Sequence, residues 1–410
     1  MTFKIDPDAA GFDASRLARI DDHLRTRYVE PGKIAGCQVV VSRRGQVAHA
    51  STLGHADRER EVPTADDTVY RIFSMTKPIT GVALLSLYEQ AKFALSDPVS
   101  RYIPEFAGLQ VSVKDEDGNR HLVDAERPMS VRDAMMHMTG IGYGPPNARM
   151  DLESLGTRAP AMRLAGGGTL QTLMERLGGE PLRFHPGSHW LYSWSTDVCA
   201  RLVEVLSGRR FDEYLQATIF DPLGMVDTGF SVTEGNAGRF AALYRRNAAK
   251  ELRLLDDPQT SRYREHPEFL SGGGGLVSTA ADYLRFCHML AGGGEVDGMR
   301  VLAPKTVELM RTNHLPDDGD LRRYALPGGY GEVGFDGMGF GLTVAVSKGP
   351  AATQAAGSAG EFMWGGAAST IFWIDPVEDL VTVFMTQLMP SGTFNFRGQL
   401  KSLVYGALVE

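Results

Sequence analysis

Apolar and polar positions along this chain follow two different periods. Residues 36–42 and 47–53 are rich in apolar and branched side chains and flank the polar run Arg43-Arg44-Gly45-Gln46. Two strand-like runs joined by a short glycine-containing turn predict a β-hairpin. Near the other end, residues 370–374 and 380–386 have the same character and flank Asp375-Pro376-Val377-Glu378-Asp379, a turn-forming run. Between these ends the apolar positions shift to helical spacing, at 81–92, 131–138, 170–177, 196–206 and 211–219, with one further short helix at 14–27. Glycine and proline punctuate the intervening loops. This order predicts an α+β fold: one antiparallel sheet built from the N- and C-terminal segments, flanked by helices, with a mainly helical domain inserted. The expected division is 1–75 and 275–410 for the sheet-containing domain and 76–274 for the insertion. The glycine runs at 166–168 and 272–275 are expected as tight turns rather than linkers.

Composition narrows the functional classes. A chain of 410 residues can bury the core of one large or two medium domains. Its formal charge of -8 is spread along the chain, with no basic stripe for phosphates and no polybasic arm for anionic lipid. Nucleic acid and membrane partners are therefore not expected. No apolar run reaches the roughly 18 residues of a membrane span. The opening residues lack an apolar signal core and a small-residue cleavage site, so the expected location is the cytoplasm. Cys37, Cys199 and Cys287 are odd in number and widely spaced. They predict small apolar fillers, neither a disulfide framework nor a closed zinc site.

Acyl transfer needs a nucleophile, a base and donors for the oxyanion. The nucleophile elbow G-x-S-x-G does not occur, which argues against a Ser-His-Asp triad despite ten histidines. Ser74-Met75-Thr76-Lys77 does occur. In a helix this spacing sets both side chains on one face, one turn apart. Pro78 is tolerated only in a first turn, so the helix should begin close to Ser74. The serine then lies near the positive helix end and its free N–H groups. Ile79, Val82, Leu84, Leu85 and Leu87 are apolar nearly all round, so this helix should be buried, and burial would push Lys77 toward its neutral, proton-accepting form.

Two further segments could complete a site. Tyr192 precedes the helical pattern at 196–206, where a phenol could be held as phenolate or relay a proton. Trp364-Gly365-Gly366-Ala367 is expected just ahead of the first C-terminal strand, its paired glycines allowing close backbone approach. The N–H groups of Ala367 and Ser74 could there receive a substrate oxyanion. Tyr143, Trp364, Gly365 and Gly366 are the expected substrate-pocket residues.

These segments, with His137-Met138-Thr139-Gly140, resemble the serine beta-lactamase and penicillin-binding superfamily, and within it class C beta-lactamases and family VIII carboxylesterases. The resemblance spans about Asp13 to Leu408 and includes Phe220-Asp221-Pro222-Leu223-Gly224-Met225 and Gly339-Phe340-Gly341-Leu342. It implies the beta-lactamase/transpeptidase-like fold, an acyl-enzyme on Ser74, Lys77 and Tyr192 as its proton-handling partners, Ala367 as second oxyanion donor, and no metal or organic cofactor. Where class C enzymes read Tyr-x-Asn and Lys-Thr-Gly, this chain has Trp194 in the asparagine place and Trp364-Gly365 for Lys-Thr. That removes a carboxylate-binding cation and an amide. The W-G-G form looks like that of family VIII esterases and related fungal acyltransferases. The expected activity is hydrolysis of short-chain carboxylic esters, a small-molecule substrate. A beta-lactamase, a D-alanyl carboxypeptidase or an acyltransferase using the same acyl-enzyme are the alternatives, with a non-catalytic binding protein disfavoured.

Overall fold

The computed structural model describes residues 3–143, 168–327 and 329–409. The N-terminal hairpin forms as β1 (Gly36–Arg43) and β2 (Gln46–Asp57). Its two turn residues, Arg44 and Gly45, have φ of 52° and 71°, the left-handed pair whose twist matches antiparallel strands. β3 (Val62–Pro63) follows. The C-terminal part adds β4 (Met338–Phe340), β5 (Ala345–Ser347), β6 (Phe362–Gly365), β7 (Ile371–Asp375) and β8 (Leu380–Thr386). All eight join one antiparallel sheet in the order β4-β5-β6-β7-β8-β1-β2-β3. The two ends of the chain meet in the pairing of β1 with β8, from Cys37 opposite Thr386 to Arg43 opposite Leu380.

Every residue of β1 and β8 is buried, so both faces of the sheet must be covered. The helices that matter for the site are α1 (Ala14–Leu24), α2 (Thr76–Glu89), α3 (Ser195–Ser207), α4 (Ala280–Ala291) and α5 (Phe396–Tyr405). Tyr283 of α4 packs on Phe372 with ring centroids 5.2 Å apart, and Phe396 of α5 packs on Phe384 at 5.0 Å. Phe372 pairs with Val383, the neighbour of Phe384, and successive strand residues point to opposite faces. α4 and α5 therefore cover opposite sides. α1 lies with α5, since Tyr28 just beyond it packs on Phe396 at 4.8 Å. α2 is buried along nearly its whole length and lies against α3.

Several expectations shift. The helix expected at 81–92 starts earlier, at Thr76, with Pro78 in its first turn as required. The one expected at 131–138 ends at Met135, since His137 has φ 59° and leaves the right-handed helical region. At 211–219 the α-helix Phe211–Leu215 widens into a π turn, Gln216–Phe220. Residues 76–274 also hold two antiparallel pairs, Gln110–Lys114 with Arg120–Asp124 and Leu243–Arg246 with Leu252–Asp256. Their partly exposed, charge-rich strands give no apolar run to detect. Trp364 and Gly365 do precede β7, but they end a strand of their own, β6, itself paired on both sides. β4 and β5, at three residues each, are too short to show a period.

Gly272 and Gly273 serve close packing: a Cβ on Gly272 would sit 2.6 Å from that of Ala200. Gly168 has φ 113°, and the rest of the 166–168 run lies outside the described residues. All three cysteines are buried and free. No helix among the described residues is long and apolar enough to cross a membrane.

Candidate active site

The segment leading to Ser74 is pinned before it turns. Arg71 is fully buried, donates to Asp256 and Ala241, and exchanges backbone contacts with the Gln387 side chain. Phe73–Met75 then makes one tight 3-10 turn into α2, with Phe73 at φ 42°, a conformation that non-glycine residues adopt only under constraint from their surroundings. Ser74 therefore stands at the N-terminal end of a buried helix, 7% exposed, with Lys77 one turn on and 1% exposed.

Lys77 Nζ lies 3.3 Å from Ser74 Oγ, donates at 2.6 Å to the Gly273 carbonyl and sits 4.4 Å from the centroid of the Tyr192 ring. Burial pulls its pKa down to about 8, opposed by the carboxylates of Asp197 and Glu332. A lysine in that range exchanges its proton near neutral pH. Tyr192 is 3% exposed, and its hydroxyl has no hydrogen-bond partner. Burial drives this phenol well above 10, with only the nearby Ser74 hydroxyl favouring ionisation. It is thus a neutral phenol able to donate, rather than the phenolate. His137 packs on Tyr192 with centroids 5.0 Å apart, and burial with Lys77 nearby holds its pKa well below 6.5. It is a neutral packing group.

Ser74, Tyr143, Tyr192, Trp194 and Ala367 all line one cavity of about 420 Å³. Trp364, Gly365 and Gly366, expected in the substrate pocket, are not among the residues that line it. Trp364 is fully buried, its ring 5.6 Å behind that of Tyr192 and 5.5 Å from Phe340. At Gly366 the Ile72 carbonyl and Thr370 hydroxyl occupy the place a Cβ would take. These residues bring the end of β6 against the turn that carries Ser74, and Ala367, one residue on, reaches the cavity.

Two acidic residues escaped the sequence reading. Asp197, in the first turn of α3 and 1% exposed, accepts from Ser271 Oγ at 2.7 Å and Gly273 N at 3.2 Å. It thereby fixes the loop whose carbonyl holds Lys77. Glu332, 8% exposed, accepts from Ser391 Oγ at 2.7 Å and also lines the cavity. Burial raises the pKa of both, and Lys77 opposes the shift.

A serine beside a buried lysine and a buried tyrosine, lining one cavity, matches the class of serine hydrolases. The chain belongs to the beta-lactamase family, whose model matches residues 22–404. Protein Rv1367c of Mycobacterium tuberculosis is 34% identical over 366 residues, covering 88% of each chain. Esterase EstB of Burkholderia gladioli is 29% identical over 411 residues, covering 95% of each. Among solved structures, EstCE1, a hydrolase with promiscuous acyltransferase activity, superposes with a TM-score of 0.77 at 26% identity, covering 96% of this chain and 99% of that one.

Proposed function

We propose that the chain is a carboxylesterase that hydrolyses short-chain esters through an acyl-enzyme on Ser74. The observation that carries this reading is Lys77 Nζ at 3.3 Å from Ser74 Oγ with its pKa drawn to about 8. Neutral Lys77 takes the Ser74 proton as Oγ attacks the ester carbonyl. The N–H groups of Ser74 and Ala367 hold the tetrahedral oxyanion. Neutral Tyr192 passes a proton to the leaving alkoxide and is reprotonated through Lys77. Water activated by the same pair then releases the acid and restores Ser74. The cleft lies between what we propose as two lobes, 1–75 with 275–410 and 76–274.

The preference for esters over beta-lactams rests on the pocket. The lysine of the lactamase motif is replaced by the buried Trp364, and the acidic Glu332 lines the cavity where a substrate carboxylate would need a cation. A missing charge-assisted hydrogen bond is worth about 1.5–3 kcal/mol. Aryl esters should therefore exceed penicillins by about 10- to 150-fold in kcat/KM.

The test is intact mass after a fluorophosphonate, beside turnover of p-nitrophenyl butyrate and benzylpenicillin. A single adduct lost in Ser74→Ala, with ester turnover reduced more than about 1000-fold, is expected. Penicillin hydrolysis as fast as that of the ester would promote the lactamase reading. Acyl transfer, the second reading, is favoured by the similarity to EstCE1. It is tested by adding an alcohol acceptor and measuring the ratio of new ester to free acid.

A further inference from the structure

The cavity around Ser74 is lined by more acidic side chains than the acyl-transfer chemistry uses. Four carboxylates line it: Asp197, Glu265, Glu268 and Glu332. Its lining also holds two basic side chains: His266 pairs with Asp212 at 3.0 Å, and Arg262 lies over the ring of Tyr263, another lining residue, at 5.0 Å. Asp197 Oδ2 is buried with no hydrogen-bond partner, in a side chain only 1% exposed at the cavity wall. Glu332 is held by Ser391 on Oε2, while Arg397 donates to its backbone oxygen at 2.7 Å rather than to its carboxylate. Lys77 acts on both Asp197 and Glu332, and Arg397 on Glu332, each from beyond ion-pair distance, so four acidic side chains share few cations.

Aromatic rings face the same space. Tyr143 and Trp194 meet edge to face with centroids 5.1 Å apart, and Trp194 meets Phe269 at 6.2 Å. Tyr143, Trp194, Phe269, Asp197 and Glu332 all line this one cavity, and the charges of Asp197 and Glu332 both act on Tyr143. Ring faces backed by carboxylates form a cage for an ammonium ion, through cation–π attraction and direct charge. A net charge of -8 would steer a cation toward the molecule.

We propose that this site takes esters bearing an ammonium group, seated between the Glu332 carboxylate and the rings of Tyr143, Trp194 and Phe269. The inference rests on the esterase reading for its chemistry but on separate residues for its recognition. It names the substrate class: cationic esters in preference to their neutral isosteres.

Two isosteric pairs test it on the whole chain. Butyrylcholine against 3,3-dimethylbutyl butyrate places the charge on the alcohol side. The p-nitrophenyl ester of 4-(trimethylammonio)butanoate against that of 5,5-dimethylhexanoate places it on the acyl side. At least one pair should favour the cation by about tenfold or more in kcat/KM, and Glu332→Gln should reduce that ratio about tenfold. A change in Lys77 basicity affects both members of a pair alike, so the ratio isolates recognition. Ratios within about threefold of unity for both pairs in the parent enzyme would overturn the proposal, as would a preference that survives Glu332→Gln; either result would leave the carboxylates as tuning groups for Lys77 alone. If no ester is turned over, the esterase reading fails separately. Calorimetry with phenyltrimethylammonium on Ser74→Ala then decides: binding lost in Ser74→Ala/Glu332→Gln supports the cage, and no binding refutes it.

Discussion

Arg71 and Lys77 stand six positions apart on one segment, and both are buried to about 1% exposure or less, yet their surroundings make them opposites. Arg71 is saturated. Its guanidinium donates to Asp256 at 2.8 Å, Ala241 O at 2.5 Å and Ser261 Oγ at 3.2 Å, and it stacks on Phe240 with 3.9 Å to the centroid. Burial lowers its pKa, Asp256 opposes the shift, and a guanidinium stays charged. Lys77 is left short of partners: one carbonyl, one serine hydroxyl, and two carboxylates acting at a distance. The same burial therefore gives a structural cation in one place and an exchangeable proton in the other. What separates them is how completely the charge is satisfied.

The largest effect should come from making Lys77 like Arg71. In Lys77→Arg the charge persists but the group cannot deprotonate near neutral pH. Ester turnover should fall by at least about 1000-fold, comparable to losing the whole catalytic unit. Steady-state rates with p-nitrophenyl butyrate check this, and a loss below tenfold would remove Lys77 as base.

The reverse change should cost stability instead. Arg71→Met leaves Asp256 and the Ala241 carbonyl without their buried donor and should destabilise by on the order of 3 kcal/mol. Urea unfolding measures it, and an unchanged midpoint would show that the pinning network adds nothing net.

Lys77→Met should do the opposite. The folded pKa of Lys77, about 8, lies below its ordinary 10.5, so the folded state binds fewer protons between those values. Below pH 8 both states are charged and the full burial penalty opposes folding. It is relieved as pH rises from 8 to 10.5. The substitution should therefore stabilise at pH 7 by roughly 1–2 kcal/mol, less than the shift alone implies because the Gly273 carbonyl loses its donor. That advantage should shrink above pH 8. A destabilised Lys77→Met would mean that the lysine is as well satisfied as the arginine.

The same contrast explains what could be read from the sequence. Ser74 and Lys77 were legible because a helix forces residues three apart onto one face, and Pro78 marks where that helix begins. Tyr192 was legible from the helix behind it. The N-terminal hairpin and β7–β8 announced themselves through apolar runs and turn residues. Asp197 was hidden by being ordinary, since an acidic residue in a first helical turn needs no special role. Glu332 lies among glycines, in Gly329-Tyr330-Gly331-Glu332-Val333-Gly334, where no period exists to place a side chain. Trp364 is expected in the pocket because it stands where the lactamase motif carries its lysine. A strand end can approach a site while its largest side chain points into the core, and only the pairing of β6 shows which way the tryptophan faces.

The smallest effect sharpens the comparison most, because it concerns how Lys77 is tuned rather than whether it is present. Asp197 accepts from Gly273 N while the Gly273 carbonyl accepts from Lys77, and its charge raises the lysine pKa against burial. In Asp197→Asn the amide oxygen can keep the Ser271 and Gly273 bonds while the charge is lost. The acid limb of kcat/KM reports the essential base of the free enzyme. In the parent it should rise with pH through about 8. With the carboxylate gone, neutral Lys77 is favoured at lower pH, so the limb should move to the acid side. Activity at pH 6.5, as a fraction of each enzyme's own plateau, should grow about threefold, while the plateau itself falls modestly because a weaker base takes the proton less readily. A movement to the alkaline side would reverse the sign of the Asp197 contribution, and an unmoved limb would assign the titration to a group other than Lys77.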